Sequence, residues 1–387
     1  MPAPPADPMD VGGAGARGAA PGAPLRIAVL TGGANTERNV SLSSGVAVTA
    51  ALRGLGHAVA QVDSASPPVV PGQPPDAAYL TAEVDVADLS DKPVAPIAVA
   101  PPDLEALAQV RARQQDGVLA PGLLAILQQA DVVFITVFGD EGESGATQRL
   151  LDAHAIAYTG PPASVCALTF DKDMTKRALA GHGITTPAWH RVRRDRAGAD
   201  LAALAIPGPW IVKPVCGGST IGLTLVEDPA DLPEAVETAT AAGEDALVES
   251  YVPGRDFTVG VLGDQVFSVV ETITERDLYD YEAKYTPGES RKRVPADLTP
   301  EQTTEVRRLT AEVHRLLDIG DTSSRSDFRL GPDGAFTFFE VNPLPGLTPT
   351  SSYPISAHAD GIDFPQLCEE LVVRALARHR APTRETA

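Results

Sequence analysis

Two oxygen-bearing side chains, those of Glu340 and Asn342, lie two residues apart in a segment with the pattern of a β-strand, and Asp327 lies on the preceding strand of a predicted hairpin. Residues two apart on a strand face the same side, so the three side chains could converge. Magnesium prefers oxygen ligands, often one or two carboxylates with substrate phosphates. The spacing indicates either a metal site or three solvated polar residues on an exposed face.

Two neighbouring features favour the metal site. Residues 336–339 (FTFF) are too apolar for a ribbon exposed to solvent. Arg325 lies two residues before Asp327 and would share its face, where a guanidinium suits a phosphoryl group. Together they predict a site for a metal-bound phosphate.

A second group of residues could hold phosphates. Lys213 ends a predicted strand, and the glycine-rich loop 217–222 follows it with backbone N–H groups that can close over an anion. Lys172 opens a predicted helix. A flexible surface loop and a solvated lysine are the alternatives. Neither a P-loop nor a G-x-G-x-x-G turn is present, so dinucleotide binding is not predicted.

Three acidic residues stand at predicted boundaries. Glu249 ends a strand, and Asp256 lies just past residues 251–254, which read as a hinge; exposed strand-end acids are the alternative. Glu37 follows the first strand, at the edge where open parallel sheets bind ligands, so it could hold a substrate ammonium. A carboxylate favoured by the dipole of a helix start is the alternative there.

Hydrophobic patterning predicts the elements that position these residues. Up to residue 154 the order strand, helix, strand, helix predicts a parallel sheet with covering helices. The predicted strands are 26–30, 58–62 and 132–137, with weak ones near 76–83 and 94–99. The predicted helices run from a cap at Ser41 or Ser43 to Gly54, over 122–129 and over 145–154.

After Gly160 the pattern becomes α+β. The predicted strands are 210–214, 223–226, 246–251, 325–330 and 335–341, with a hairpin over 256–273 that turns at Gly263-Asp264. The predicted helices are 171–182, 230–242, 301–317 and 364–379. Residues 275–296 are polar and predict a long functional loop, because structureless loops of this length are otherwise uncommon.

Composition limits the partners and the compartment. The 387 residues include 51 acidic and 31 basic ones, and a net charge of −20 argues against a nucleic-acid partner. No long apolar run or signal-like N-terminus occurs, so we expect no membrane contact. Three widely spaced cysteines without a C-x-x-C pair predict neither zinc nor disulfides and fit a cytoplasmic protein. Residues 1–24 predict a disordered tail.

In this order and spacing, the motifs resemble those of the ATP-grasp superfamily and, within it, the D-alanine–D-alanine ligase family. The resemblance covers about residues 25–375. Each motif is weak alone, and jointly they are very specific. The motifs are 27–30 (IAVL) with Gly32-Gly33, Glu37-Arg38, 40–42 (VSL) and Ser44-Gly45, 211–214 (IVKP) with 218–220 (GST) and Gly222, 281–285 (YEAKY), 325–327 (RSD), and 340–342 (EVN) with Pro345-Gly346.

The resemblance implies an α/β, three-domain ATP-grasp fold with ATP between the last two domains. A parallel-sheet N-terminal domain would span 25–161, a small α+β central domain 162–252, and a larger α+β C-terminal domain 253–380. The implied activity joins two amino acids through an acyl phosphate, with release of ADP and phosphate, in peptidoglycan synthesis. A homodimer is implied as common in the family.

The resemblance also implies roles for individual residues in binding Mg-ATP. Phosphates would be held by Lys172, Lys213, Lys284 and the flap loop with Gly218 and Ser219. Glu249 and the backbone of Val252 would contact adenine, and Asp256 the ribose. Asp327, Glu340 and Asn342 would bind two magnesium or manganese ions.

Further implied roles concern the amino acids. Glu37, linked to Ser219 and Tyr285, would bind the first ammonium. Arg325 and the Gly346 backbone would stabilise the tetrahedral intermediate, and Ser351 and Ser352 would hold the second carboxylate.

Two departures from the family pattern affect the substrate pockets. Near the first-substrate pocket, Phe138 stands where the family usually has a histidine, and Ser144 stands where it usually has an aspartate. Pro343-Leu344 follows Asn342, where the family usually has threonine or serine. They favour a non-standard amino acid, so a paralogue of specialised metabolism that makes a different dipeptide or amide stays open. A catalytically silent nucleotide-binding regulator is a third possibility, which the retained Lys213 and Arg325 disfavour.

Overall fold

Short aliphatic runs near the N-terminus form a parallel sheet in the computed structural model, which describes residues 23–66, 78, 109, 112, 114, 118–241, 243–274 and 289–380. The strands are β1 (Arg26–Thr31), β2 (Ala58–Asp63) and β3 (Val132–Ile135), in the order β2-β1-β3. Strand β1 is buried after its first residue, as expected for a central strand covered on both faces. The predicted parallel sheet is confirmed.

The helices bounded within the described residues of this region are α1 (Arg38–Gly54), α2 (Leu123–Leu127), α3 (Asp140–Glu143) and α4 (Ala146–Ala153). The predicted cap of α1 at Ser41 or Ser43 is wrong, because the helix starts at Arg38 and Glu37 occupies the cap position without a side-chain bond. The Ser41 hydroxyl instead accepts a hydrogen bond from the Gly32 N–H at 2.7 Å. Ser41 therefore fastens the helix to the turn after β1.

A second, antiparallel sheet has the order β4-β7-β5-β6. Its strands are β4 (Trp189–Val192), β5 (Trp210–Pro214), β6 (Thr224–Val226) and β7 (Ala246–Ser250). The helices of this region are α5 (Ala163–Phe170), α6 (Lys172–Leu179), α7 (Ala197–Ala202) and α8 (Leu232–Thr240). Valines of the sheet pack on Val236 of α8. Helix α6 ends before its predicted end at 182, since Gly181 and Gly183 adopt positive φ.

The third sheet is also antiparallel, in the order β11-β10-β8-β12-β13, with β9 paired to β8. Its strands are β8 (Arg255–Leu262), β9 (Gln265–Val266), β10 (Val270–Thr274), β11 (Ser290–Arg293), β12 (Ser323–Leu330) and β13 (Phe336–Asn342). The helices are α9 (Pro300–Leu316), α10 (Ser352–Ala359) and α11 (Phe364–Arg380). The predicted hairpin over 256–273 is confirmed, as are the two strands around the metal candidates.

Several sequence-based predictions fail or lie outside the described residues. Residues 290–293 form β11 rather than part of a loop, because their backbone pairs with the edge of β10. The elements α3, α5, α7, α10 and β4 were not predicted. Predictions for residues 1–22, for the weak strands 76–83 and 94–99 apart from residue 78, and for 275–288 lie outside the described residues. The domain boundaries stay predictions.

Among the described residues, no helix is long and apolar enough to cross a membrane.

The core of the third sheet explains the apolar run at 336–339. Phe336 and Phe338 are buried against Phe328, and the Phe328 and Phe338 rings meet at 5.6 Å between centroids. Val306 and Val313 of α9 complete this layer. The prediction that this strand does not form a solvent-exposed ribbon is confirmed.

A close approach at Gly142 gives a test of the N-terminal packing. A Cβ at Gly142 in α3 would lie 1.7 Å from the Val137 carbonyl oxygen, whereas a Cβ at Gly54 would meet nothing within 4 Å. We expect Gly142→Ala to lower the free energy of unfolding by about 2 kcal/mol or more, because the backbone after β3 must move. Gly54→Ala should leave it unchanged or raise it by up to ~1 kcal/mol. Urea denaturation measures both, and equal stabilities would contradict this packing.

Candidate active site

A cleft of about 720 Å³ collects nearly all the candidate residues. Its lining comes from the loops after β1 and β3, from the second sheet and from the third sheet. Of the predicted site residues within the described parts of the chain, only Val252 is absent from the lining. Lys284 and Tyr285 lie outside the described residues. The structure therefore brings the separate motifs together, while their individual roles stay predictions.

The three metal-ligand candidates face each other across β12 and β13. Asp327 pairs in register with Glu340, and Arg325 pairs with Asn342. After the pair Asp327–Glu340 the register shifts by one residue, so that Phe328 pairs with Phe338. The extra residue, Phe339, forms a β-bulge. Because of it, Glu340 and Asn342 face the cleft although Phe336 and Phe338, at the same alternation, face the core.

Cations and a hydroxyl group accompany the two carboxylates at this position, and Lys172 lies 3.8 Å from Glu340. Arg325 Nη2 contacts Asp327 Oδ2 at 2.9 Å, and the Thr258 hydroxyl donates to Asp327 Oδ1 at 3.0 Å. Burial raises the pKa of Asp327 above its usual range against the opposing effect of Arg325, and the nearby Glu340 raises it further. Two carboxylates this close favour a cation between them.

The donor set fits magnesium or manganese. It comprises two carboxylates and the Asn342 amide, whose Oδ1 also accepts from the Leu344 N–H at 2.8 Å. No cluster of three or more His, Cys, Asp or Glu side chains suited to a metal occurs within the described ranges. Magnesium sites usually have few protein ligands and leave room for phosphate oxygens.

Glu249 and Lys213 lie in a buried ion-pair triad that also contains Lys176. Glu249 Oε2 is 2.8 Å from Lys213 Nζ, and Oε1 is 2.8 Å from Lys176 Nζ. Burial by itself would raise the pKa of Glu249, but the two ammonium groups outweigh it and hold that pKa below its usual range. Lys176 is fully buried, and the sequence analysis missed it. Glu249 thus orients Lys213 at the cleft wall. The contact of Glu249 with adenine stays a prediction.

The glycine-rich loop after β5 closes over the N-terminal region. The Ser219 hydroxyl donates to Glu37 Oε1 at 2.6 Å, across 182 residues of sequence. A Cβ at Gly218 would lie 2.6 Å from Glu37 Oε2, so the Glu37 carboxylate approaches the loop backbone closely. Lys172 Nζ donates to the Gly217 carbonyl at 2.6 Å and lies 3.8 Å from Glu340 Oε2. The loop, the lysine and the metal candidates therefore share one volume.

Glu37 is held by a buried network from the loop after β3. Asn35 Oδ1 accepts from the Glu37 N–H at 2.9 Å, and Asn35 Nδ2 donates to the Phe138 carbonyl at 2.8 Å and to Glu141. Phe138 is 3% exposed and packs into the core beneath the cleft. The part of the cleft beside Glu37 therefore has an aromatic ring in its floor.

Glu143 is a buried acid at the same end. It accepts from the Gly139 N–H at 2.8 Å. Burial, and next the negative charge of Glu37, raise the pKa of Glu143 to about 8. In the sequence, Glu143 could have been found only from the G-x-x-G-E pattern of residues 139–143, which follows Phe138.

Asp256 and Val252 meet at Arg329, a residue that the sequence analysis did not single out. Arg329 donates to both carboxylate oxygens of Asp256, at 2.7 and 2.9 Å, and to the Val252 carbonyl at 2.9 Å. Its guanidinium also lies over the rings of Tyr251 and Phe339. Arg329 thus connects residues 251 and 252, between β7 and β8, to Phe339 of β13.

Gly346 and residues 348–352 also line the cleft. The Ser351 hydroxyl accepts from the Thr348 N–H at 3.2 Å and lies 2.7 Å from the Thr348 hydroxyl, just before α10. Ser352 is the first residue of that helix. Hydroxyl groups at a helix start suit a carboxylate.

Comparison with protein families gives two matches that together span most of the chain. The model of the D-Ala–D-Ala ligase N-terminus matches residues 26–161, and the model of the D-Ala–D-Ala ligase C-terminus matches residues 179–373. A D-alanine–D-alanine ligase of Gloeobacter violaceus is 36% identical over 91% of this chain and 100% of its own length. One of Aquifex aeolicus is 33% identical over 90% and 100%.

Solved structures share the fold. The VanG D-Ala:D-Ser ligase of Enterococcus faecalis superposes with a TM-score of 0.68 at 22% identity, over 91% of this chain and all of its own. The D-alanine–D-alanine ligase of Bacillus anthracis complexed with ATP gives 0.66 at 22% identity, over 92% and 98%. The predicted ATP-grasp architecture is confirmed.

The raised pKa of Glu143 gives a test by pH. Below its ordinary value of 4.5 the carboxyl is protonated in both states, and between there and about 8 only the folded state keeps the proton. Wild-type stability therefore falls over that window, and Glu143→Gln removes this loss. We compare the unfolding free energies of the variant and the wild type at each pH. Between pH 5 and pH 8 we expect their difference to shift by about 1 kcal/mol or more in favour of the variant. Parallel curves would contradict the assignment, and the exposed Glu234→Gln serves as control.

Proposed function

The chain belongs to the D-alanine–D-alanine ligase family and is an ATP-dependent ligase, and from that premise we propose that its cleft joins D-alanine to a second amino acid, D-alanine first among the candidates. The observation that carries the proposal is the placement of Glu37 with Ser219 at one end of a single cleft and of Arg325, Asp327 and Glu340 farther along it. Amino-group binding and phosphoryl chemistry thus share one volume.

The reaction has to activate a carboxylate. A carboxylate does not acylate an amine, because oxide is a poor leaving group. Transfer of the γ-phosphoryl group of ATP to the first amino acid makes an acyl phosphate, and the amine of the second amino acid then displaces phosphate. Magnesium or manganese ions, two by the family resemblance, would be held by Asp327, Glu340 and Asn342 and would neutralise the phosphate charge.

The side chains of the cleft supply the remaining functions. Glu37, fixed by Asn35 and bonded to Ser219, would bind the ammonium of the first amino acid. Arg325 lies beside Asp327, where it would stabilise the negative charge of the tetrahedral intermediate together with the Gly346 N–H. Ser351 and Ser352 would receive the second carboxylate.

Nucleotide binding would use the second and third sheets. Lys172 and Lys213, with the loop that contains Gly218 and Ser219, would hold the phosphates. Glu249 and the Val252 backbone would contact adenine, and Asp256, oriented by Arg329, the ribose. The loop also covers the cleft from above Glu37, which would keep water from the acyl phosphate.

A second candidate function is a ligase that makes a different dipeptide or amide. The observation that favours it is Phe138, whose buried ring lines the cleft where the family pattern has a histidine. Loss of a hydrogen-bonding group in a substrate pocket shifts selectivity strongly. A cytoplasmic location, a homodimer and domain boundaries near 161 and 252 complete the proposal, supported by the family resemblance.

The direct test is ADP and phosphate release with ATP and D-alanine, against a panel of other D- and L-amino acids. The proposal expects amino-acid-dependent ADP formation and a dipeptide of the matching mass. Strong turnover with D-alanine alone would exclude the specialised ligase. No amino-acid-dependent ADP formation with any substrate would exclude the enzyme.

The metal assignment has its own test in Glu340→Gln. The change keeps the size of the side chain and removes the negative charge that would hold the cation, so we expect turnover to be abolished while the fold is retained. Steady-state ADP release measures turnover, and far-UV circular dichroism with thermal unfolding checks the fold. The exposed Glu234→Gln is the matched control. An active Glu340→Gln enzyme would count against the metal site.

A further inference from the structure

Lys292 is a cation in the cleft with no role in the mechanism above. It lies on the edge strand β11, in register with Thr272 of β10, which pairs in turn with Asp256 of β8. Residues in register on neighbouring strands project on the same face, so Lys292 shares the sheet face that carries Asp256. Lys292 and Thr272 both line the cleft.

The ammonium of Lys292 reaches the segment that leads into α10. Its Nζ donates to the Thr350 carbonyl at 2.5 Å. Thr350 precedes Ser351, whose hydroxyl bonds to Thr348. The cation is therefore anchored at the second-substrate end of the cleft, next to the two serines that open the helix, rather than beside Lys172 and Lys213.

The ammonium of Lys292 has a neutral partner in the part of the chain that the structure describes. No carboxylate of the described residues forms an ion pair with Lys292, and its ammonium donates to the Thr350 carbonyl. Burial, and then the positive charge of Arg325, lower the pKa of Lys292 to about 8. An anionic partner would stabilise the charged form of this partly buried ammonium.

We propose that Lys292 binds a carboxylate of the second amino acid and so determines which acceptors the enzyme uses. The inference rests on the proposed function, since it assumes that an amino acid enters at residues 348–352. The carboxylate could be the α-carboxylate of the acceptor or one on its side chain. Both would place an anion against the ammonium, and two arms of one experiment separate them.

The experiment measures product ratios when acceptors compete. Purified full-length enzyme receives ATP, magnesium and D-alanine with D-alaninamide in the first arm, and with equal D-aspartate and D-asparagine in the second. D-Alaninamide cannot be the first substrate, because it has no carboxylate to activate. Mass spectrometry of the dipeptides gives the ratio of kcat/KM values for each acceptor pair, independently of the total activity.

The variants are Lys292→Met, Lys292→Arg and, as matched control, Arg291→Met on the adjacent exposed position. We expect Lys292→Met to reduce the preference for the carboxylate-bearing acceptor by about 10- to 100-fold in at least one arm, the range for a charge-assisted hydrogen bond. Lys292→Arg should keep most of that preference, and Arg291→Met should keep all of it. The KM for ATP should stay unchanged.

The outcomes distinguish the inference from the proposed function. A change in the first arm supports binding of the α-carboxylate, and a change in the second supports a side-chain carboxylate. Dipeptide formation by wild type with unchanged ratios in both arms for Lys292→Met would overturn the inference and leave the ligase intact. No dipeptide from the wild-type enzyme with any acceptor would overturn both.

Discussion

The chemistry of this protein depends on one extra residue in a strand. The bulge at Phe339 shifts the register of β13 against β12, so the strand buries Phe336 and Phe338 on one side and presents Glu340 and Asn342 on the other. A regular strand would send all four side chains to the same face, either four into the core or four into the cleft. Burying Glu340 without a partner would cost several kcal/mol, so the bulge allows one strand both to complete a core and to carry ligands.

Around that strand, charged side chains of the cleft are held by ion pairs and hydrogen bonds to other protein groups. Glu249 holds Lys176 and Lys213, Arg329 holds Asp256, and Ser219 holds Glu37. Each pair keeps a charged group buried and oriented, which reduces the reorganisation needed at the moment of reaction. Asp327 and Glu340 are two carboxylates paired in register, with Arg325 at 2.9 Å from Asp327 and Lys172 at 3.8 Å from Glu340. In the proposed metal site, a cation would lie between these two carboxylates.

The sequence predicted the parts of the site that follow from local rules and missed those that follow from long-range contacts. The common face of Glu340 and Asn342 follows from their spacing, and Glu37 after β1 follows from the edge rule for parallel sheets. Lys176 was missed because its partner lies 73 residues away, and the bulge because FTFFEVN looks like a regular strand. Residues 290–293 (SRKR) formed a strand without any apolar pattern, since an edge strand needs only backbone pairing.

The most direct test of the central claim is a crystal structure of the full chain with Mn²⁺ and a non-hydrolysable ATP analogue, with manganese located by anomalous scattering. The bulged strand is predicted to place two manganese peaks in contact with the side-chain oxygens of Asp327, Glu340 and Asn342 and with the phosphates. Manganese bound to the phosphates alone, or located away from these three side chains, would contradict the claim that this strand builds the metal site.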